Sequence, residues 1–268
     1  MTNTFSIITI NYNNLHGLKQ TLESIWNLRC DIEIIVIDGL STDGCIEYLE
    51  SVKIRIDILV CEPDHGIYDA MNKGILRAHG NWVIFMNSGD WFVDHFNLAA
   101  LMEALAHEPA QMILGNAIVH YPGGKTRSWL AENPDKFWKG MVAAHQAVIY
   151  RREIIVSFLF STRFKIAGDF EQLYRIYKAG IPFKILDVFI ANIGPGGISD
   201  SQRVQTMKEL FSIVKNDLRQ SQKIFLHLNI IYQYIIVFVK RTFSLVGINL
   251  NRGKNSFQPF SNPPTPAS

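Results

Sequence analysis

Hydrophobic positions along the chain fall into short continuous runs that alternate with stretches of helical spacing. Phe5–Asn11 (FSIITIN) is β-branched and of the length of one buried strand. Asn13 and Asn14 interrupt it. Leu15, Leu18, Leu22, Ile25 and Trp26 then recur at helical spacing and predict a helix over about 15–28. Ile32–Asp38 (IEIIVID) predicts a second buried strand that ends on an acid. Ser41 and Thr42 can cap a helix on which Ile46, Leu49 and Val52 share a face. A strand over Ile56–Val60, a helix over Gly66–Ala78 and a strand over Asn81–Asn87 continue the alternation. Strand and helix in turn imply βαβ units, hence a parallel sheet covered on both faces. Ligands of such sheets sit beyond the carboxyl ends of the strands. Asp38 and Asp90 both fall at such ends.

The second half is less regular. Met112–His120 and Lys125–Trp129 flank Tyr121-Pro122-Gly123-Gly124 and predict a hairpin. His145–Tyr150 and Phe183–Ile190 read as strands, Asp169–Ala179 as a helix, and Gly194-Pro195-Gly196-Gly197 as a mobile loop. A parallel half that binds and an antiparallel half that completes the site would form one α/β domain over residues 1–202.

Charge divides the chain further. The formal net charge of +2 makes no case for nucleic acid as a partner. Residues 203–254 nevertheless hold nine Lys/Arg against two acids, which leaves 17 basic and 22 acidic groups in the rest. Within this basic segment Ile224–Val239 has 13 apolar residues of 16, flanked by Lys223, Lys240 and Arg241. The run is short for a span and fits an interfacial helix against anionic lipid over residues 224–241, or a helix packed back on the domain or on a second copy. Residues 255–268, rich in Pro and Ser, read as a disordered tail. Cys30, Cys45 and Cys61 form no CxxC pair, so a disulfide framework is not expected. The amino terminus has no basic stretch before its short apolar run, so a cytoplasmic location is expected.

The candidate chemistry is mostly carboxylate. No GxGxxG follows the first strand and no GxxxxGK[ST] occurs, so phosphate would be held another way, most simply by a divalent cation on carboxylates. Asp38 in VIDGLSTDG can accept hydrogen bonds from a nucleoside, or can simply form a turn. Asp90 in FMNSGDWF offers an oxygen to Mg²⁺ or Mn²⁺, or an Asx turn. Asp64–Gly74 (DHGIYDAMNKG) is dense in polar groups where a helix begins. Asp169 opens a helix as a general base or as a cap, and His145 lies among apolar neighbours as a ligand or a core residue.

In order, IITINYNN, EIIVIDGLSTDGCIEYL, EPDHGIYDAMNKGI, VIFMNSGDWF, HQAVIYRR and AGDFEQLYRIYKAG resemble the family 2 glycosyltransferases, most closely their colanic-acid-type exopolysaccharide branch. The resemblance covers about residues 4–200. It implies a GT-A fold, inversion, a nucleoside-diphosphate sugar donor, a divalent cation (Mn or Mg) and a lipid-linked saccharide acceptor. It assigns Asp169 as catalytic base and Asp90 to the last acidic place of a DxD-type metal motif. It sets Asn11, Asp38, Asp69, Asn72 and His145 around the nucleotide sugar, with Gln146 beside His145. The DxD is reduced to Ser88-Gly89-Asp90, and the QxxRW motif of processive synthases is missing, which favours transfer of a single sugar. Membrane contact would then place the enzyme on the inner face of the plasma membrane. A non-catalytic assembly subunit and a sugar nucleotidyltransferase are the alternatives. The second would want a Gly- and Arg-rich phosphate loop near the amino terminus, and IITINYNN offers none.

Overall fold

The four apolar runs of the first half become β1 (Phe5–Asn11), β2 (Ile32–Asp38), β3 (Ile58–Cys61) and β4 (Trp82–Phe85), parallel neighbours in the order β3-β2-β1-β4. The computed structural model describes residues 5–28, 30–105, 109–195 and 202–245, with backbone alone for Met102 and residues 236–245. Gly196 and Gly197 of the expected mobile loop, Arg252, Lys254 and the Pro/Ser-rich tail lie outside the described residues.

Each central strand buries both faces, which is why its sequence reads as a run rather than an alternation. Phe5 and Ile7 of β1, Ile34 and Val36 of β2, and Trp82 and Ile84 of β4 face α1 (Leu15–Trp26), α2 (Cys45–Val52) and α4 (Leu98–Leu105). Ile8 and Ile10, Ile35 and Ile37, and Val83 and Phe85 face the opposite layer, with α3 (Ile67–Ile75) and α6 (Gly168–Lys178). The result is a three-layer α/β/α molecule.

The second half extends the same sheet with β5 (Trp91–Phe92), β6 (Met112–His120), β7 (Thr126–Trp129), β8 (Val148–Arg151) and β9 (Phe183–Ile193). The path runs β3-β2-β1-β4-β8-β6-β9-β5, and β7 pairs with β6 as the expected hairpin, with Ala117 opposite Trp129. Because β8 is antiparallel to both β4 and β6, β6 and β9 again point the same way as β1. The carboxyl ends of β1, β2, β4 and β9 and the start of β8 therefore share one edge.

Some expectations need correction. His145–Ala147 is a 3₁₀ turn, and the strand starts only at Val148. The third helix is shorter than 66–78, since Gly66 at φ 115° stands before its start and the chain leaves the helix at Leu76. β9 runs on to Ile193, three residues past Ile190, pairing Ile193 with Val119 through an irregular register. β5, α4 and α5 (Arg152–Ser157) had no expected counterpart.

The C-terminal segment forms α7 (Arg203–Val214) and α8 (Gln220–Leu245). Val214, Leu218 and Leu226 join the core layer of α3 and α6, so the segment packs on the domain. Ile224, Phe225, Leu228, Ile231, Tyr232 and Ile235 remain exposed on α8. Among the described residues no helix is long and apolar enough to cross a membrane.

Candidate active site

The shared strand edge collects most of the candidate residues. Asn11 ends β1 and Asp38 ends β2, paired opposite each other in the sheet. Asp38 is 0% exposed, and both its oxygens are taken. Oδ1 accepts from the Ser41 amide (2.7 Å), and Oδ2 accepts from Asn11 Nδ2 (2.6 Å) and Ser41 Oγ (2.8 Å). Asn13 ties the same loops together, since its amide donates to Ser41 Oγ (2.8 Å) and its Oδ1 accepts from the Thr42 amide (2.7 Å). Asn13 and Leu40 hold positive φ (49° and 67°), a conformation that a leucine rarely adopts. Asp38 thus shapes the loops after β1 and β2 from within. The group these loops offer to solvent is Tyr12, exposed beside Gly39, which the sequence reading passed over.

Asp90 sits past β4 in a cradle of neutral donors. Its Oδ2 accepts from Gln146 Nε2 (2.7 Å) and its Oδ1 from the Gly194 amide (2.9 Å). Burial pushes its carboxyl up to about 6, against hydrogen bonds that pull the other way. The cradle depends on glycine twice. Gly89 has φ 97°, and a Cβ on Gly194 would collide with the Gly89 carbonyl oxygen. Among the described residues no three His, Cys, Asp or Glu side chains cluster to hold a metal. Asp90 instead offers one hard oxygen, buried among neutral donors, and Asn87 Oδ1 nearby in the chain is buried without a partner. Such a donor set fits a Mg²⁺ or Mn²⁺ ion whose other ligands are diphosphate oxygens and water.

Gln146 leads on to the second carboxylate. Its neighbour His145 is 6% exposed, with neither ring nitrogen partnered, and burial pulls its pKa down to about 4. The neutral ring packs on Phe85 (4.9 Å between centroids) and Phe160 (5.7 Å). Phe160 stacks on Tyr68 (5.6 Å), and the Tyr68 hydroxyl lies 3.2 Å from Asp169 Oδ1. The two carboxylates are therefore joined by side-chain contacts that meet at the His145–Gln146 backbone, Gln146 reaching Asp90 and His145 reaching Asp169 through Phe160 and Tyr68.

Asp169 occupies the first turn of α6 and is half-buried. Burial raises its pKa, although the Phe170 amide (2.8 Å) and Tyr68 bind Oδ1. The Tyr68 hydroxyl has one proton and also lies 2.5 Å from the Ile166 carbonyl oxygen. The Phe170 amide and the Tyr68 hydroxyl both lie against Oδ1, so Oδ2 is the oxygen through which the carboxylate would meet another molecule. Tyr68 is a site residue that the sequence reading missed, although it lies in the motif that carried the resemblance, one place before Asp69.

Asp69 and Asn72 have local partners. Asp69 Oδ2 accepts from the His65 amide (3.0 Å), which with Lys73 (3.5 Å) lowers its pKa. Asn72 exchanges two hydrogen bonds with the Phe160 backbone, 2.9 Å each, and so spends both amide atoms on holding the Phe160 ring against Tyr68 and His145. A separate open pocket of about 440 Å³, lined by Asn133, Tyr177 and Phe183 among others, lies at the opposite sheet edge, where β9 begins.

The chain is similar in sequence and in fold to known proteins. An uncharacterized glycosyltransferase of Mycobacterium tuberculosis is 34% identical over 178 residues, 64% of this chain and 68% of the relative. A PGL/p-HBAD biosynthesis glycosyltransferase of Mycobacterium bovis is 27% identical over 206 residues, 74% of this chain and 79% of the relative. Among solved structures, Staphylococcus aureus TarS 1–349 in complex with UDP-GlcNAc superposes with a TM-score of 0.62 at 18% identity, over 90% of this chain and 73% of TarS. A mannosyltransferase of Pyrobaculum calidifontis, in complex with GDP-Man and Mn²⁺, gives 0.59 at 17% identity, over 84% of this chain and 68% of that one. These likenesses establish a GT-A-like fold. The family described as Glycosyl transferase family 2 matches residues 6–169, which take in the Asn11–Asp38 loops, Asp90, Gln146 and Asp169 but not Gly194, and the chain belongs to it.

Proposed function

We propose that the protein transfers a single sugar from a nucleoside-diphosphate sugar to a hydroxyl of a lipid-linked saccharide, with inversion, in extracellular polysaccharide synthesis of the colanic-acid type. The observation that carries this reading is the pairing of two unlike carboxylates on the two sides of the His145–Gln146 turn. Asp90 is deep in neutral donors, whereas Asp169 is at a helix start with Oδ2 free. The relatives named for glycolipid synthesis and the nucleotide-sugar complexes of the structural neighbours support the substrate class.

In this reading the nucleoside lies over the loops after β1 and β2. Asn11 and Asp38 hold those loops, and the exposed Tyr12 offers its ring to the base. Asp69 and Asn72 keep α3 and Phe160 in place beneath the donor, and neutral His145 lines the sugar side. Asp90 supplies one ligand for a divalent cation, which would neutralise charge on the departing diphosphate. Asp169 Oδ2 takes the acceptor's hydroxyl proton. The acceptor oxygen bonds to the anomeric carbon as the bond to the diphosphate breaks, and that electron pair leaves with the diphosphate. Attack opposite the leaving group inverts the centre. The raised pKa makes Asp169 a stronger base and sets an acid limb, since turnover falls as pH drops through it and Asp169 gains a proton.

The exposed apolar row on α8, with Lys208, Arg219 and Lys223 nearby in the chain, supports peripheral contact with an anionic membrane, its cytoplasmic face. Asp169→Asn tests the chemistry. It is expected to lower transfer by 10³-fold or more, on the order of a lost general base plus its orienting bond, while donor binding by calorimetry with Mn²⁺ stays within about threefold. Near-wild-type turnover would remove Asp169 from the role.

A further inference from the structure

The C-terminal segment grips α6 at both ends. At its start, Glu209 of α7 accepts from the amides of Ile166 (3.1 Å) and Ala167 (3.0 Å) through Oε2, while Gln205 Nε2 donates to Oε1 (3.2 Å). Ala167 is the residue before α6 and has no side chain to cap it, and Glu209 binds its amide from a distance as the acid of a capping box does locally. Towards its end, Asp217 accepts from the Tyr174 hydroxyl (2.7 Å) and from Lys178 Nζ (2.8 Å). Asp169 stands two residues after the second clamped amide.

We infer that Glu209 is a positioning residue for Asp169, and that the active site is completed by the segment beyond the matched family region. This rests on Asp169 being the base. The clamp fixes the backbone from which Asp169 projects and fixes the Ile166 carbonyl that draws the Tyr68 hydroxyl. With the Ile166 and Ala167 amides committed to Glu209, Asp169 has no rival use for them and keeps Oδ2 for an acceptor. Glu209 also places a negative charge near the base. The other titratable groups that act on Asp169 are Tyr68 of α3 and Tyr150 of β8, neither of them a cation. Further along α6, Glu171 is paired with Arg175 (2.8 Å).

Two variants of the full-length chain test this. Glu209→Gln keeps an oxygen for both amides and removes the charge. It is expected to retain turnover within about threefold at the optimum and to move the acid limb of kcat to lower pH, because less negative charge opposes ionisation of Asp169. Glu209→Ala is expected to lower kcat at least tenfold with the donor KM within twofold, and to speed hydrogen exchange at the Ile166 and Ala167 amides. Faster exchange with wild-type kcat and an unmoved acid limb in both variants would overturn the positioning role. Unchanged exchange would overturn the clamp itself. A merely structural bond would lower the unfolding temperature of both variants and leave the pH profile in place. Asp169→Asn run in parallel separates the two ideas, since retained turnover there overturns the base reading whatever Glu209 does.

Discussion

Among the described residues no Lys or Arg pairs with Asp90, and its carboxyl is held between a side-chain amide and a backbone N–H. Folding favours its protonated form, because its pKa rises from 3.8 to about 6. The folded state then binds more protons than the unfolded state between those values, and stability falls as pH climbs from about 4 to about 6. The loss amounts to about 3 kcal/mol once Asp90 is ionised. Asp90→Asn removes it, since the side-chain oxygen can still accept from Gly194 and the Gln146 amide can turn to donate or accept. Urea unfolding with chelator present is expected to show the variant more stable than wild type at pH 8, by up to that amount, with the gap closing below about pH 4. A gap that does not change with pH would remove the account. The position of Asp90 was legible in the sequence, because a buried run stopping at Asn-Ser-Gly-Asp delivers an acid to a sheet edge. Its partners were not legible, since Gly194 is 104 residues away and no local pattern couples the two. Tyr68 was hidden for a related reason: a tyrosine on the buried face of a helix reads as core, and only its hydroxyl, aimed at Asp169, shows otherwise.

Elements that bury both faces announced themselves, and those shaped by their neighbours did not. β1, β2 and β4 are β-branched or aromatic runs between turn residues, so tertiary context had nothing to overrule. β5 has two residues and exists because Trp91 and Phe92 pair with Asn192 and Ala191 of β9, a strand far along the chain. His145–Ala147 carries strand-like residues but turns, because His145 must enter the Phe85–Phe160 cage before β8 can begin. The same β5–β9 meeting brings Gly194 against Gly89. Gly194→Ala forces a methyl group into a carbonyl oxygen there, and overpacking of this kind costs about 1–3 kcal/mol. Denaturant unfolding is expected to show that loss, and the donor is expected to bind several-fold more weakly with Mn²⁺. Donor affinity equal to wild type would mean that the cradle does not shape the donor site.

At the scale of the molecule, the basic segment after residue 202 lies as a helical strap on the sheet domain. Val214, Leu218 and Leu226 share the core with α3 and α6. What stays outward is one row of α8. Replacing Ile224, Leu228, Ile231 and Ile235 by Ser leaves Leu226 in the core and removes about four buried-chain equivalents of apolar surface from a membrane contact, each worth about 1.5–3 kcal/mol if fully buried. Co-sedimentation with vesicles containing phosphatidylglycerol is expected to fall to background for that variant, with transfer to a soluble acceptor preserved. Equal sedimentation would rule the row out as the contact. The strap also bears on when the enzyme becomes active. A chain emerges from the ribosome amino end first and its early parts fold first. Asp90 waits for residue 194 and the amides before Asp169 wait for residue 209, so neither carboxylate has all its partners until those residues have emerged. The apolar row proposed for membrane contact begins at Ile224, 15 residues after Glu209. Under the proposed function, arrival at a membrane and acquisition of activity would fall close together in time, which would spare the cell a sugar-nucleotide-consuming enzyme adrift from its acceptor.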